Sequence, residues 1–515
     1  MRDRLEALVG EIAPAATTTA APVCHSLQPA VATTGPGHVR STALHRPSDI
    51  AAGVSMVADG REAFALRAAA AQAACRSLDL QYYAWHSDLT GRLLAREALS
   101  AADRGVQVRM LLDDVFALGR ERTLAALDTH PRVEVRLFNG TRWRRFGRLG
   151  FALELLLGGW HLNRRMHNKA WIADGQLAIV GGRNVGDEYF DAAETFNFRD
   201  LDLVVVGATA GAVASAFERY WSSSLTRRAG ELSAACDAEG GLPALRNILE
   251  AAASEPAAGA FLAACPDGAS LSRHLGRRLV PVATGAMRVV TDPPEKARRG
   301  LGARRRARAA GGLGPEVAEA LRGSQHEALL ISPYFVPGKA GLDLLLSLVH
   351  RGVRVSVVTN SLAATDVVAV HGGYARYRRR LLEAGVEIFE LKPSGAEPAS
   401  MFGSRGASLH TKALAVDDGL VCVGSFNFDP RSAALNTEMG IFADHPALAR
   451  ALRAEHVRLA DPVRSWRVTL ERGRLAWIDC DVQGRRRALS DEPGASLQRR
   501  LLAGLVRMLP IEEQL

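Results

Sequence analysis

No run of about 18 to 20 uninterrupted apolar residues occurs in this sequence, so no transmembrane helix is expected and any membrane contact would be peripheral. The six cysteines (Cys24, Cys75, Cys236, Cys265, Cys422 and Cys480) are scattered and form no Cys-x-x-Cys pair. That spacing argues against a zinc site and against a dense disulfide framework. Met1 to Ile12 carries Arg2, Asp3, Arg4, Glu6 and Glu11, so no secretory apolar segment follows a basic start. The expected location is therefore the cytoplasm, or the cytoplasmic face of a membrane as a peripheral protein. Lys296 to Arg308 holds seven Lys and Arg residues but no aromatic. Readers of single-stranded nucleic acid interleave the two for base stacking, so a nucleic-acid partner is disfavoured.

What remains is an ordinary globular composition, 48% apolar and 23% charged, with a formal charge of +9 that favours anionic partners. Residues 1–50 are expected to form a disordered leader, because Ala13 to Pro47 is rich in Ala, Thr and Pro without periodicity. Beyond it the chain repeats itself once. The pattern predicts a strand over Ser77–Tyr83, a helix over Gly91–Arg104 ending at Gly105, and a strand over Val106–Leu112. His326–Phe335, Gly341–Arg351 and Val353–Thr359 repeat that order, and the tripeptide Arg-Gly-Val stands at 104 and again at 351. Further strands are predicted over Val133–Phe138 and Val386–Leu391. Alternating strands and helices predict an α/β fold of two homologous lobes, 51–230 and 286–495, related by a pseudo-two-fold axis. Each lobe is expected to be a mixed, mostly parallel sheet flanked by helices. Residues 231–285 are expected to be a linker or insertion carrying one helix over Leu242–Ala253, and 496–515 an amphipathic C-terminal helix and tail.

The first half contains His167-Asn-Lys169, then Asp174, then Gly181-Gly-Arg-Asn184; the second contains His410-Thr-Lys412, then Asp417, then Gly424-Ser-Phe-Asn427. Both read His-x-Lys-x4-Asp-x6-Gly-[Gly/Ser]-x-Asn. One match in so long a chain can be chance, but two at equivalent points of a repeat are not. Residues i and i+2 of a strand share a face, so each His and Lys project together, and a paired return strand brings Asn184 and Asn427 to the same end. Two imidazoles, two ammonium groups and two amides suit a tetrahedral phosphate. One His attacks phosphorus, the other protonates the leaving oxygen, and Lys and Asn neutralise the equatorial oxygens. His167, Lys169, His410 and Lys412 are thus the expected substrate contacts. Asp174 and Asp417 are expected to fix strand geometry. No metal site is expected, because an ammonium beside each His repels a cation.

At these residues the sequence resembles the phospholipase D superfamily. Within it the chain is most similar to the bacterial cardiolipin synthase branch, on Leu78–His86, Gly181–Phe190, Ser332–Gly338 and Leu509–Glu512. The resemblance implies a phosphohistidine intermediate, with His167 as nucleophile and His410 as acid/base, and no metal or other cofactor. It also implies a downstream carboxylate that orients each His: Glu438 fits that role, with Asp202 as its counterpart. The implied activity is phosphatidyl transfer between phospholipids at an anionic membrane surface, most simply cardiolipin synthesis from phosphatidylglycerol. A phospholipase D hydrolase and a nuclease of the same superfamily are the alternatives. Two segments bear on the membrane. Leu149 to Leu162 follows Arg142, Arg144, Arg145 and Arg148, and reads as either a buried helix or an interfacial anchor. Leu497, Leu501, Leu505 and Met508 fall on one helical face, suited to docking on protein or on lipid.

Overall fold

The computed structural model describes residues 52–514, leaving out 142, 144–145, 158–159, 233–240, 268–278, 284, 299–301, 303–310, 394–405, 481–482 and 510–511. The expected leader and most of the basic run lie outside the described residues. The tripeptide that marked the repeat is a helix stop. Gly105 and Gly352 take φ of 97° and 84°, a left-handed conformation that suits glycine. The next amide, on Val106 or Val353, turns back to a carbonyl inside the preceding helix, Ala101 or Leu348, at 3.1 Å. Each helix ends there and its chain enters the neighbouring strand.

The first lobe comprises β1 (Ala52–Val57), α1 (Gly60–Ala73), β2 (Ser77–Tyr82), α2 (Leu89–Asp103), β3 (Gln107–Asp113), α3 (Glu121–Asp128), β4 (Val133–Phe138), α4 (Gly147–Leu156), β5 (Ala170–Ala173), β6 (Leu177–Gly181), β7 (Phe196–Arg199), β8 (Asp202–Gly207), α5 (Ala208–Trp221) and β9 (Thr226–Arg228). The connecting segment supplies α6 (Gly241–Ser254), α7 (Pro256–Ala264) and β10 (Val280–Val282). The second lobe comprises β11 (Met287–Thr291), α8 (Leu313–Gly323), β12 (Glu327–Ile331), α9 (Gly338–His350), β13 (Arg354–Asn360), α10 (Val368–Tyr374), β14 (Glu387–Leu391), β15 (Gly406–Leu409), β16 (Ala413–Val416), β17 (Leu420–Gly424), β18 (Met439–Asp444), α11 (Pro446–Ala460) and β19 to β21 (Ser465–Glu471, Arg474–Cys480, Arg486–Leu489), then α12 (Leu497–Met508).

The two large sheets run β10-β1-β8-β6-β5-β2-β3-β4-β9 and β11-β18-β17-β16-β12-β13-β14-β19-β20-β21. They match strand for strand from β1 to β4 and from β11 to β14, which is the expected pseudo-two-fold repeat. The mixed α/β fold holds, but the sheets are not mostly parallel. Only β2–β3 and β3–β4, with β12–β13 and β13–β14, are parallel. Among neighbouring strands of the large sheets, only those pairs are joined through crossover helices. Later strands return through tight turns, such as that after β5, and so pair antiparallel.

Each sheet buries one face under its own helices and the other against the opposite lobe. Val180 and Leu203 of the first lobe share one core with Leu329, Val421 and Ile441 of the second. β15 and β7 cross between the lobes as a parallel pair, and Met166 bridges Thr437 in the same sense on the symmetric side. The connecting segment is more than a linker. The expected helix spans Gly241–Ser254, and Leu245, Leu249 and Phe261 enter the first-lobe core, with Phe261 edge-on to Phe64 at 5.0 Å.

At the C-terminus the polarity of α12 is unusual. Leu497, Leu501, Leu505 and Met508 are exposed, while Ala503 and Val506 face the protein. The reason is close approach: a Cβ at Gly372 of α10 would lie 2.8 Å from the Ala503 carbonyl and 3.0 Å from Val506. The small face fits that surface, and the leucine face is left to solvent.

Candidate active site

β5 and β16 begin one residue after Lys169 and Lys412, so the two motifs enter their sheets at equivalent points. Each ammonium folds back onto its own motif: Lys169 Nζ donates to the His167 carbonyl at 2.6 Å, and Lys412 Nζ donates to the His410 carbonyl. Asp174 and Asp417 stand at the far end of these strands with φ of 54° and 51°. The Asp174 carboxylate accepts from the amides of Cys75, Arg76 and Ser77, and Asp417 accepts from Gln325, His326 and Glu327. These bonds tie each hairpin turn to the start of β2 or β12, remote from the histidines.

The glycines of the motif admit the carboxylates. A Cβ on Gly182 would lie 2.2 Å from an Asp200 carboxylate oxygen, and one on Gly424 would lie 2.2 Å from the Met439 carbonyl. Where the second motif has Ser425, its hydroxyl donates to Glu438. The orienting carboxylates act crosswise. Glu438, from the second lobe, bonds His167 Nδ1 at 2.8 Å, and Asp200, from the first, bonds His410 Nδ1 at 2.6 Å. Backbone bonds hold the same relation, His167 N to Thr437 O at 2.9 Å and His410 N to Arg199 O at 2.8 Å. Each half-site is therefore completed by the other lobe.

Asp202 is not the partner of His410. It starts β8 and is buried in a double ion pair with Arg67 at 2.9 Å and Arg183 at 3.1 Å. The sequence does not single out Asp200, because Asp200 and Asp202 stand two residues apart at the junction of β7 and β8, and because the chain from Asn184 to Asp200 is longer than that from Asn427 to Glu438. Counting from the motif could not choose between them. The register does: Gly181 pairs Asp202 as Gly424 pairs Gly440, which makes Asp200, two residues before, the counterpart of Glu438 in the repeat.

Burial is the first cause of every titration shift here. It holds both imidazoles well below the ordinary histidine range, with Lys169 and Lys412 reinforcing it for each ring. It pulls Lys412 down to about 8 and Lys169 well below the usual ammonium value, and it pushes Glu438 up to about 7. Asn184 accepts from the Ala84 amide at 3.2 Å and donates to Tyr189 Oη at 2.9 Å. Asn427 Oδ1 is buried with no hydrogen-bond partner, a polar atom left for a ligand.

Aromatic residues complete the walls. Tyr83 lies against His167 (5.2 Å between ring centres) and under the Lys169 ammonium (5.5 Å), and Tyr189 and Phe198 flank His410 at 5.2 and 4.8 Å. The signal for Tyr83 in the sequence is the aromatic strand end Gln81-Tyr82-Tyr83. Among the described residues, His86, Asp88 and Glu188 are the one group of three whose ligand atoms lie close enough for a metal ion, within 4.8 Å of one another. They belong to neither motif, and His86 Nδ1 already meets Glu188 at 3.2 Å.

The two aspartates give separable outcomes. Asp200→Asn is expected to lower turnover about 10²-fold with little change in melting temperature, because it disturbs only the tautomer and orientation of His410. Asp202→Asn strips charge from a buried ion pair and is expected to cost about 3–5 kcal/mol of stability. Thermal unfolding and turnover measured on both variants check this. Equal effects on both properties would place the two residues in one role.

The sequence family described as "Cardiolipin synthase, PLD-like domain" matches residues 67–221 and 317–459. The chain is 39% identical over 458 residues to cardiolipin synthase C of Escherichia coli K12, covering 88% of this chain and 93% of that one. It is 25% identical to a cardiolipin synthase of Staphylococcus aureus, over 73% of this chain and 60% of that one. In fold it is similar to phosphatidylserine synthase of Haemophilus influenzae Rd KW20, with a TM-score of 0.57 at 13% identity over 90% of this chain and 95% of that chain.

Proposed function

Because the chain belongs to the phospholipase D-like family of cardiolipin synthases, and is by that membership an enzyme of phosphatidyl transfer, we propose that it makes cardiolipin through a phosphohistidine on His167. The donor is phosphatidylglycerol or phosphatidylethanolamine, and the acceptor is phosphatidylglycerol. The observation that carries this reading is the crosswise pairing of each imidazole with a carboxylate from the opposite lobe. With Nδ1 committed to a carboxylate, Nε2 is the ring nitrogen left for chemistry.

Burial keeps His167 uncharged and so nucleophilic. Its Nε2 attacks phosphorus, and the headgroup oxygen leaves with a proton from His410. His410 then removes the proton of the acceptor hydroxyl, whose oxygen attacks the phosphoenzyme and releases His167. His410 must carry a proton at the first step, although burial and the lysines keep it neutral in the empty site. The arriving phosphate supplies the negative charge that lets it do so. Lys169, Lys412 and the Asn427 amide nitrogen are the donors that stabilise that charge.

Peripheral membrane contact is part of the proposal. Among the described residues no helix is long and apolar enough to cross a membrane. α4 instead turns Leu149 (76% exposed), Leu153 and Leu156 (81%) to solvent, while Glu154 on its other side is buried and bonded to Thr141. Asn163, just past α4, meets Gln514, just past α12, and Arg431 bonds Asn163 at 2.9 Å. The segments that follow the two helices thus meet near Arg431, whose charge also acts on His167. Exposed leucines that follow Arg142, Arg144, Arg145 and Arg148 in the sequence suit shallow insertion into anionic lipid.

Purified protein on phosphatidylglycerol vesicles, with and without phosphatidylethanolamine, is expected to yield cardiolipin. Leu153→Glu with Leu156→Glu is expected to reduce vesicle binding about tenfold. Phosphatidic acid as the dominant product under both conditions would make the enzyme a hydrolase, and cleavage of nucleic acid alone would make it a nuclease.

A further inference from the structure

The first lobe contains a narrow groove of about 120 Å3 that the reaction scheme does not use. It starts beside the catalytic histidine: Tyr83 lines it while contacting the His167 ring at 5.2 Å and Phe116 at 4.7 Å. From there it follows one face of β3 from Leu112 back to Met110, receding from Asp113, whose carboxylate holds the Met166 amide at 2.9 Å. Leu124 and Leu127 of α3 form one wall, and Leu245, Ile248 and Leu249 of α6 form the roof. These residues are buried apart from Ile248, which with Phe116 leaves an apolar rim at 55% and 36% exposure.

The charged groups are gathered at one end, where α2 and α3 begin. His86, Arg92 and Arg120 line the groove there, with Arg120 donating to the Trp85 carbonyl and Arg92 to the Ser87 carbonyl at 2.8 Å. A groove whose polar end pairs His86 with Asp88 and Glu188, and whose remaining lining is apolar, fits a hydrocarbon tail whose headgroup stays outside it. It does not fit a sugar or a nucleotide. An unfilled apolar groove this size forgoes dispersion contacts along its whole lining, and a methylene chain restores them.

We propose that this groove binds an acyl chain of the donor phospholipid, so that the tail is anchored in the first lobe while its phosphorus lies at His167. The assignment to the donor rests on the reading of His167 as nucleophile, because Tyr83, which lines the groove, packs against the ring of that histidine. The connecting segment thereby acquires a role, since α6 supplies the roof. The site selects for chain, which the symmetric phosphate site by itself cannot do.

The test uses the full chain, with dioleoyl- and dihexanoyl-phosphatidylglycerol as substrates in mixed micelles. Ile248→Trp, at a half-exposed rim position that disturbs folding little, narrows the entrance. It is expected to lower kcat/KM on the dioleoyl lipid about tenfold and leave the dihexanoyl lipid within about twofold, since six-carbon chains do not reach the roof. An equal loss on both, or no loss on either, overturns the proposal. In parallel, a phosphatidylglycerol with a diazirine near the end of one acyl chain is expected to label residues within 245–249 and 110–127. Labelling confined to other segments, or labelling of this groove by a diazirine fatty acid and not by the phospholipid, also overturns it. Phosphatidyl transfer by wild type to neither lipid would refute the reaction and leave the labelling to judge the groove.

Discussion

His167→Ala is expected to abolish phosphoenzyme formation and lower phosphatidyl transfer about 10⁴-fold, while His410→Ala slows transfer and lets the phosphoenzyme accumulate. The two imidazoles have nearly equivalent surroundings, each buried, each held at Nδ1 by a carboxylate from the opposite lobe, each beside a lysine. What separates them is detail. The His167 carboxylate, Glu438, also accepts from Ser425 and rises to about 7, and Tyr83, against the His167 ring, lines the proposed acyl groove. Losing the nucleophile removes the covalent route altogether, so the residue left behind has nothing to protonate. Losing the acid/base leaves a nucleophile that still attacks a good leaving group, so a substrate with a nitrophenyl headgroup should rescue the first step in His410→Ala and not in His167→Ala. Quenching with radiolabelled phospholipid and counting acid-labile label on the protein reads both outcomes. Label retained in His167→Ala and lost in His410→Ala would exchange the two roles.

How far the sequence reveals this site depends on whether a feature is local. The doubled motif is local: His and Lys two apart, a left-handed Asp at the turn, and a return strand ending in Asn are all set by strand period and turn chemistry. The helix stops at Gly105 and Gly352 are legible for the same reason. Asp200 is not local. Its role depends on the register between β6 and β8 and on the pairing of β7 with β15 from the other lobe, neither of which is encoded in spacing along the chain. Sheet direction is not legible either, because alternating strands and helices dominate the start of each lobe, whereas hairpins dominate the remainder. α4 and α12 illustrate another limit: an amphipathic pattern defines an apolar face but does not say whether that face turns inward. For α12 the decision lies in Gly372 of a different helix, which favours alanine and valine over leucine at the contact. The groove is the least legible feature of all, because its lining comes from β3, α3 and α6, elements far apart in the chain.

Lys412→Met is expected to make the protein more stable and much less active. Lys412 is buried, and burial brings its ammonium down to about 8 from an ordinary 10.5. A base whose folded value is depressed binds fewer protons folded than unfolded between those two limits, so stability rises with pH from about 8 to about 10.5. Below 8 the lysine is charged in both states and the whole penalty applies, about 3 kcal/mol for that shift. Methionine has similar length and no charge to desolvate. It gives up the bond from Nζ to the His410 carbonyl, about 1 kcal/mol, so a net gain of about 2 kcal/mol at pH 7 is expected. That gain should shrink as pH approaches 10, where the wild-type amine becomes neutral. Activity should fall about 10²- to 10³-fold, as when one preorganised charge donor is removed from a transition state. Vanadate separates the two effects: it should raise the melting temperature of wild type by placing an anion between Lys169 and Lys412, and do so much less in the variant. A variant that melts lower at pH 7, or one that keeps its advantage undiminished at pH 10, would show that Lys412 is held by the fold at no cost and that its charge is not reserved for the phosphate.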